Sequence, residues 1–277
     1  MLGAIIGDTV GSVYEFNNIK TTDFQLFGPR NSYTDDSVMT MAVARWLLDD
    51  PQHGSGTLEH ALVSFASRYP CPMGGYGGMF YKWLFMPKSL GLGGERRPYN
   101  SWGNGSAMRC SACGWMFDTL EETERVAGLS AAITHNHPEG VKGAQATAAA
   151  IFMARNGKSK EEIRSYVSTR YGYKLSRTCD EIRRVYGWDS SCQGTVPEAM
   201  VAFFDSTDFE SAIRLAVSLG GDSDTLACIT GGIAEAYYKA ISDDIALKIW
   251  ELVPDDFKNI LKETEAQTGY RLPNILR

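Results

Sequence analysis

The sequence predicts an all-α fold in a single domain spanning residues 1–277. Three observations carry that expectation: apolar residues recur at helical spacing along most of the chain, helix-start signals precede those runs, and no alternating strand pattern separates them. A chain of 277 residues that is 44% apolar and holds only 10 Pro can close one large core. No internal period of solenoid type is present.

The opening segment, Met1 to Asp8, lacks a basic leader and meets an acid before a secretory apolar stretch could form, so the mature chain is expected to begin at Met1. After Asp36, residues Val38, Met41, Ala42 and Trp46 mark one buried helix face. The glycine-rich stretches Cys71 to Gly78 and Gly91 to Gly105 are expected to be long surface loops and candidate pocket walls. Between them Phe80, Tyr81 and Trp83 open a helix-like apolar pattern and are expected in the core, while His53 and His60 read as surface residues. Thr119-x-x-Glu122, Ser159-x-x-Glu162 and Thr207-x-x-Glu210 read as capping boxes ahead of three helices. Pro138 and Pro197 are placed as first-turn prolines before Val141 to Ala154 and Ala199 to Phe204, with Asn156-Gly157 stopping the first of these helices. Leu226, Ile229, Ile233 and Tyr237 define a further helix. Its small residues Ala227, Cys228, Gly231 and Gly232, like the alanines from 144 to 150, permit close backbone approach in the interior.

Composition narrows the function. With 33 acidic against 27 basic residues the net charge is -6, which argues against a broad grip on nucleic-acid phosphates. The longest apolar stretches, such as Ala144 to Ala154, fall short of the roughly 20 residues a membrane span needs, so no membrane is expected. Six cysteines in a chain this long do not form a disulfide framework, and a reducing cytoplasm is the expected setting. Cys110 and Cys113 have zinc or redox spacing, but no second Cys or His pair lies at a matching interval.

Two segments look alike: Tyr33-Thr34-Asp35-Asp36-Ser37 and Gly220-Gly221-Asp222-Ser223-Asp224-Thr225 each place two carboxylates beside a hydroxyl at a predicted helix start. Helix capping is one reading, since these residues satisfy orphan amides and favour the positive end of the helix dipole. Capping uses one acid per helix, however, and several oxygens on adjacent positions also suit a hard cation. If the two helix starts converge, four carboxylates share one site, and each pair at about 4 Å would repel by roughly 4 kcal/mol at an effective dielectric near 20. Two divalent cations would remove that repulsion, and oxygen-only ligation points to magnesium or manganese over zinc.

At these residues the chain resembles the ADP-ribosylglycohydrolase family, the ADP-ribosyl-acceptor hydrolases, which includes the dinitrogenase reductase-activating glycohydrolase. The resemblance runs through Gly3 to Glu15, Thr34 to Met39, Gly103 to Arg109, Thr134 to Gly143 and Gly220 to Thr225, five motifs in the family's order. It implies a compact orthogonal helical bundle of the ADP-ribosylglycohydrolase type with two Mg2+ ions, Mn2+ being the alternative, at the bottom of an ADP-ribose cleft. On this resemblance Thr34, Asp35, Asp36, Asp222, Asp224 and Thr225 are the metal ligands. Asp35 and Asp36 are the main catalytic candidates, and Glu15 falls where part of the family has a mobile acid near the metals; it could equally be a first-turn acid or an ion-pair partner. Ser101, Trp102, Gly103, Asn104 and Gly105 match the family's phosphate- and ribose-contacting loop, whose glycines let amides approach a diphosphate. Trp102 could stack on adenine or simply pack. His135 and Asn136 tilt toward the cleft, although an Asn before Pro138 is also a common N-cap. Tyr76 and Gly77 lie in a segment that would cover the acceptor side as a flexible lid, and Arg109 reads as a structural ion-pair former.

The implied activity is magnesium-dependent hydrolysis of the glycosidic bond between ADP-ribose and an acceptor: arginine, serine or a small ADP-ribosyl compound. A metal-dependent phosphoester or pyrophosphate hydrolase and a non-catalytic ADP-ribose-binding protein are the alternatives; products, or their absence, separate the three.

Overall fold

The computed structural model describes residues 1–90 and 94–277; the first three residues of the expected loop Gly91 to Gly105 lie outside the described residues. Fifteen α-helices appear among the described residues, and β-pairing is limited to two isolated bridges, Thr34 with Met73 and Gly103 with Ser191. In chain order the helices are α1 (Leu2–Gly11), α2 (Asp35–Asp49), α3 (Ser55–Arg68), α4 (Gly78–Phe85), α5 (Gly105–Met108), α6 (Cys113–Met116), α7 (Leu120–Ala132) and α8 (Pro138–Arg155). There follow α9 (Lys160–Tyr171), α10 (Cys179–Val185), α11 (Cys192–Asp205), α12 (Phe209–Ser218), α13 (Ser223–Tyr238), α14 (Asp243–Leu252) and α15 (Asp255–Gln267). None of the described helices is long and apolar enough to cross a membrane.

Helix α13 is the axis of the molecule. It is buried from Ser223 to Ala236 and packs against α1, α8, α11 and α12. Its tightest neighbour is α1, and small residues explain why. Gly3, Gly7 and Gly11 recur every four residues and so share one face of α1. A Cβ at Gly3 would overlap the Gly231 carbonyl, one at Gly7 the Ala227 carbonyl, and one at Gly11 would stand 2.5 Å from Asp224 Cα. The two backbones therefore touch along a stripe without side chains.

Helix starts follow the local chemistry closely. Ser159 and Glu162 form the complete capping box, and Pro138 occupies the first turn of α8. Five expectations are corrected. At α7 the box is half made: Thr119 Oγ1 accepts from Glu122 N at 3.2 Å, but the Glu122 carboxylate is taken by Arg125. The α12 cap is Asp208 with Ser211, one residue beyond the Thr207 pair, because Asp208 reaches the Ser211 amide at 2.7 Å. Helix α11 begins at Cys192, capped by Ser191, so Pro197 lies inside it rather than in its first turn. Tyr81 is 44% exposed, whereas Phe80 and Trp83 are buried as expected, since residue 81 faces away from the stripe they share. His60 is exposed, but His53 is half-buried between the rings of Trp46 and Phe117. All six cysteines are unpaired, and Cys110 and Cys113 are buried in helical packing.

Candidate active site

A cleft of about 420 Å3 opens where the N-terminal ends of α2 and α13 meet. Asp35 and Asp36 from α2, Asp222, Asp224 and Thr225 from α13, and Glu15 from the segment after α1 all line it. The two acidic segments of the sequence thus converge. Oxygens of Glu15, Asp222 and Asp224 lie within 4.8 Å of one another. Among the described residues no salt bridge reaches any of these five carboxylates. Asp36 Oδ2 and Asp224 Oδ1 are buried without a hydrogen-bond partner.

Behind this wall stands Asp8, fully buried on α1. Its carboxylate accepts from Thr34 N at 3.0 Å, Thr34 Oγ1 at 2.7 Å, Ser37 N at 3.0 Å and Ser37 Oγ. It thereby fixes the first turn of α2 and orients the acids that follow. Thr34 is the N-cap, accepting from Asp36 N at 3.2 Å; it sits behind the cleft, outside its wall. No sequence argument singled out Asp8, although a lone acid within the apolar run Leu2 to Gly11 was the available signal.

The segment bearing Glu15 is tied to α13. Asn18 Nδ2 donates to the Tyr14, Glu15 and Gly221 carbonyls, and Gly221 N donates back to Asn18 Oδ1 at 2.8 Å. Lys20 Nζ donates to the Leu219 and Tyr186 carbonyls. Gly220 and Gly221 turn the chain with φ of 74° and 72°, values that favour glycine.

Crowding and burial govern the electrostatics. Burial raises Asp8 to about 6 against the donation of Ser37 and Thr34. Burial first, then the charges of Asp222 and Asp8, raises Glu15 to about 7. Asp35, Asp36 and Asp224 are pushed well above the carboxylate range, again by burial first and then by neighbouring carboxylates. Asp222 is raised by burial, with hydrogen bonds from Asp224, Asn104 and Thr225 in opposition. Such a set stays protonated or gathers cations.

The loop opposite the acids contributes Ser101, Gly103, Asn104 and Gly105 to the wall. It is pinned to the start of α11: Asn104 N donates to Ser190 O and Cys192 N to Trp102 O, both at 2.8 Å. Asn104 Nδ2 reaches Asp222 Oδ2 at 2.7 Å and Thr195 Oγ1 at 3.0 Å, linking the loop to the acidic cluster. Trp102 does not line the cleft; it is 52% exposed and meets His137 edge to face. Asn136 is also off the wall, its Oδ1 accepting from Asn100 N at 2.8 Å, and the N-cap of α8 is His137 instead.

His135 lines the cleft and is kept neutral by burial first and by Arg109 second. Thr134 Oγ1 receives Arg109 Nη2 at 2.9 Å and lies 2.7 Å from His135 Nδ1. Donation of the Thr134 proton to Nδ1 leaves the proton of the ring on Nε2, beside Gly103 and Gly105. Arg109 is not an ion-pair former among the described residues. It donates to Ser130 O at 2.7 Å and lies over the Phe80 ring, where carbonyl and ring face take the place of a carboxylate.

Gly74 to Gly78 form another wall, with Gly74 close against Glu15. Tyr76 is anchored through its hydroxyl to Tyr69 O at 2.7 Å. At the mouth, Phe16 and Trp188 stack at 5.5 Å and are 75% and 53% exposed, a pair that sequence reasoning missed because they lie 172 residues apart in unremarked loops.

Comparison with known proteins adds a separate line. Residues 1–268 match the family model described as ADP-ribosylglycohydrolase. The chain is 26% identical to human ADP-ribosylhydrolase ARH3 over 307 residues, covering 86% of this chain and 84% of that protein. It is 27% identical to the ADP-ribosylarginine hydrolase Tri1 of Pseudomonas putida (strain GB-1) over 261 residues, 86% of this chain and 69% of the relative. A solved structure of an ADP-ribosylglycohydrolase-related protein complex shares the fold, with a TM-score of 0.71 at 21% identity over 96% of this chain and 95% of that one.

Proposed function

The chain belongs to the ADP-ribosylglycohydrolase family, and from that premise we propose that it releases ADP-ribose from an ADP-ribosyl acceptor with the help of two divalent cations, magnesium foremost. A glycosyl-bond hydrolase follows from the family itself; the cation dependence rests on one observation. Five carboxylates without a salt bridge among the described residues face a single cleft, and Asp36 Oδ2 and Asp224 Oδ1 are buried there without a partner. An orphaned, charged oxygen is costly unless a cation meets it.

Asp35, Asp36, Asp222 and Asp224 would hold the cations, with the Thr225 hydroxyl as a further oxygen donor, while Thr34, expected as a ligand, has its hydroxyl engaged by Asp8 and the Asp36 amide behind the wall. When bound, two such ions supply Lewis-acid charge to the ribose hydroxyls and to the attacking water. The chain's own residues do the rest. Gly105 and the Nε2 proton of neutral His135 lie on the same wall, where they suit the oxygens of a diphosphate or ribose. Glu15, raised to about 7, can take or give a proton near neutrality on its side of the cleft. Phe16 and Trp188 at the mouth present exposed ring faces to the acceptor, and with the acids around them they suit a planar cation such as the guanidinium of arginine.

Asp35→Asn combined with Asp36→Asn should abolish ADP-ribose release from an ADP-ribosyl-arginine substrate while the helical circular dichroism stays near that of the parent. Turnover surviving in this variant would remove the carboxylates from the chemistry. Product analysis also separates the alternatives, since AMP or free phosphate would mark a phosphoester or pyrophosphate hydrolase and binding without turnover a carrier of ADP-ribose.

A further inference from the structure

We propose that the protein carries a second ligand site, for a phosphate-bearing small molecule, in the cleft where the C-terminal ends of α8, α13 and α15 come together. This cleft measures about 560 Å3 and shares no lining residue with the acidic one. A cavity of that size holds an organic body as well as a phosphate.

Its charge is opposite to that of the active site. Arg155, Lys239 and Arg271 line it, and none has a carboxylate partner among the described residues. Of the acids on its wall, Glu235 is already engaged by the Met1 ammonium, Gly3 N and the Tyr270 hydroxyl, which leaves Asp243. Helix ends explain part of this basic lining, since Arg271 Nη1 donates to the Glu265, Thr268 and Tyr270 carbonyls at the end of α15.

The other donors are used in part or not at all. Trp115 is only 7% exposed and its indole Nε1 has no hydrogen-bond partner, an uncommon state for a buried donor. Arg155 spends Nη2 on the Phe117 carbonyl and lays its guanidinium over the Phe152 ring at 5.0 Å, while Nε is buried without a partner. Lys239 ends α13 with an exposed ammonium and no partner among the described residues. Several cationic donors around one space match the several acceptor oxygens of a doubly charged phosphate better than a single carboxylate. The indole of Trp115 with Leu272 and Pro273 supplies apolar surface for the rest of the molecule.

The sites lie at opposite ends of α13, a helix of 16 residues and so about 24 Å long, which lets one spectrum report on both. In the full chain labelled with 15N, the Trp115 indole N–H, assigned by its loss in Trp115→Phe, should shift on addition of AMP and stay in place with adenosine. The Trp188 indole, at the acidic cleft, reports binding there independently. Lys239→Ala, at an exposed position, should weaken the Trp115 response to AMP about tenfold, as loss of one charge-assisted contact predicts. Arg155→Gln added to it should remove the response. A Trp115 signal that ignores AMP, that moves equally with adenosine, or that keeps its affinity in the double variant would overturn the proposal.

Discussion

Four donors converge on the two oxygens of Asp8, two from the N-cap Thr34 and two from Ser37 in the first turn of α2. Removal of the carboxylate strands two amides and two hydroxyls in a buried space, where each unsatisfied group costs about 1–3 kcal/mol. Asp8→Ala should therefore lower the unfolding free energy by about 3 kcal/mol or more, read from urea denaturation. Asp8→Asn keeps the volume but turns an NH2 toward groups that are themselves donors, so it should recover less than half of that loss. An Asp8→Ala protein within about 1 kcal/mol of the parent would show that α2 needs no anchor from α1. Activity should fall in both variants, because Asp35 and Asp36 are held by the turn that Asp8 fixes.

Helices α2 and α13 carry the two halves of the acidic site, and α1 joins them, anchoring α2 through Asp8 and touching α13 backbone to backbone. Gly7→Ala would drive a methyl into the Ala227 carbonyl, and overpacking of this kind costs about 1–3 kcal/mol. The variant should lose stability and, through the displaced start of α13, lose cation affinity measured by calorimetry; a fully stable Gly7→Ala protein with unchanged affinity would refute the close-contact account. Asn18→Ala acts on the same junction from outside: it frees the Glu15 segment from Gly221 and should reduce turnover more than stability. How much of this was legible follows from range. The acidic helix starts, the first-turn Pro138 of α8, the α9 capping box and the all-α class are local signals within a few residues, and the structure bears them out, whereas the cap of α8 is His137 and not Asn136. The Gly3, Gly7 and Gly11 stripe is periodic too, but its meaning lies in Gly231 and Ala227, more than 200 positions away. Trp102 and Asn136 were drawn to the cleft by motif alone, and the tertiary contacts with His137 and Asn100 claimed their side chains. Arg109 reads from sequence as a structural ion-pair former; here one carbonyl, a hydroxyl and the Phe80 ring meet it.

Across the whole molecule, the acidic cleft makes stability depend on pH and on cations together. Asp8, Glu15, Asp35, Asp36, Asp222 and Asp224 all have carboxyls raised above their ordinary values by burial first. The folded chain then holds protons that the unfolded chain has already released, so these groups contribute most at low pH. That contribution is lost as pH rises from the ordinary carboxylate values, 3.8 and 4.5, through about 6 for Asp8 and about 7 for Glu15. Burial acts the other way on His135 and His53, whose folded values lie below the ordinary 6.5, so the stability they withhold at low pH returns as pH rises toward 6.5 and is complete above it. The two trends partly offset each other in a simple melting curve, so the discriminating quantity is the rise in Tm caused by magnesium. Cation binding needs the carboxylates ionised and displaces their protons, and it stabilises only the fold that assembles them. The magnesium-induced rise should therefore be small at pH 5 and several degrees larger at pH 8, where the protons no longer compete; scanning calorimetry with excess chelator as the reference measures it. In Asp36→Asn with Asp224→Asn, which removes the two orphaned oxygens, the rise should vanish at both pH values. A magnesium effect of equal size at pH 5 and pH 8, or one that survives in the double variant, would mean that the acids in this cleft are not where the cation binds.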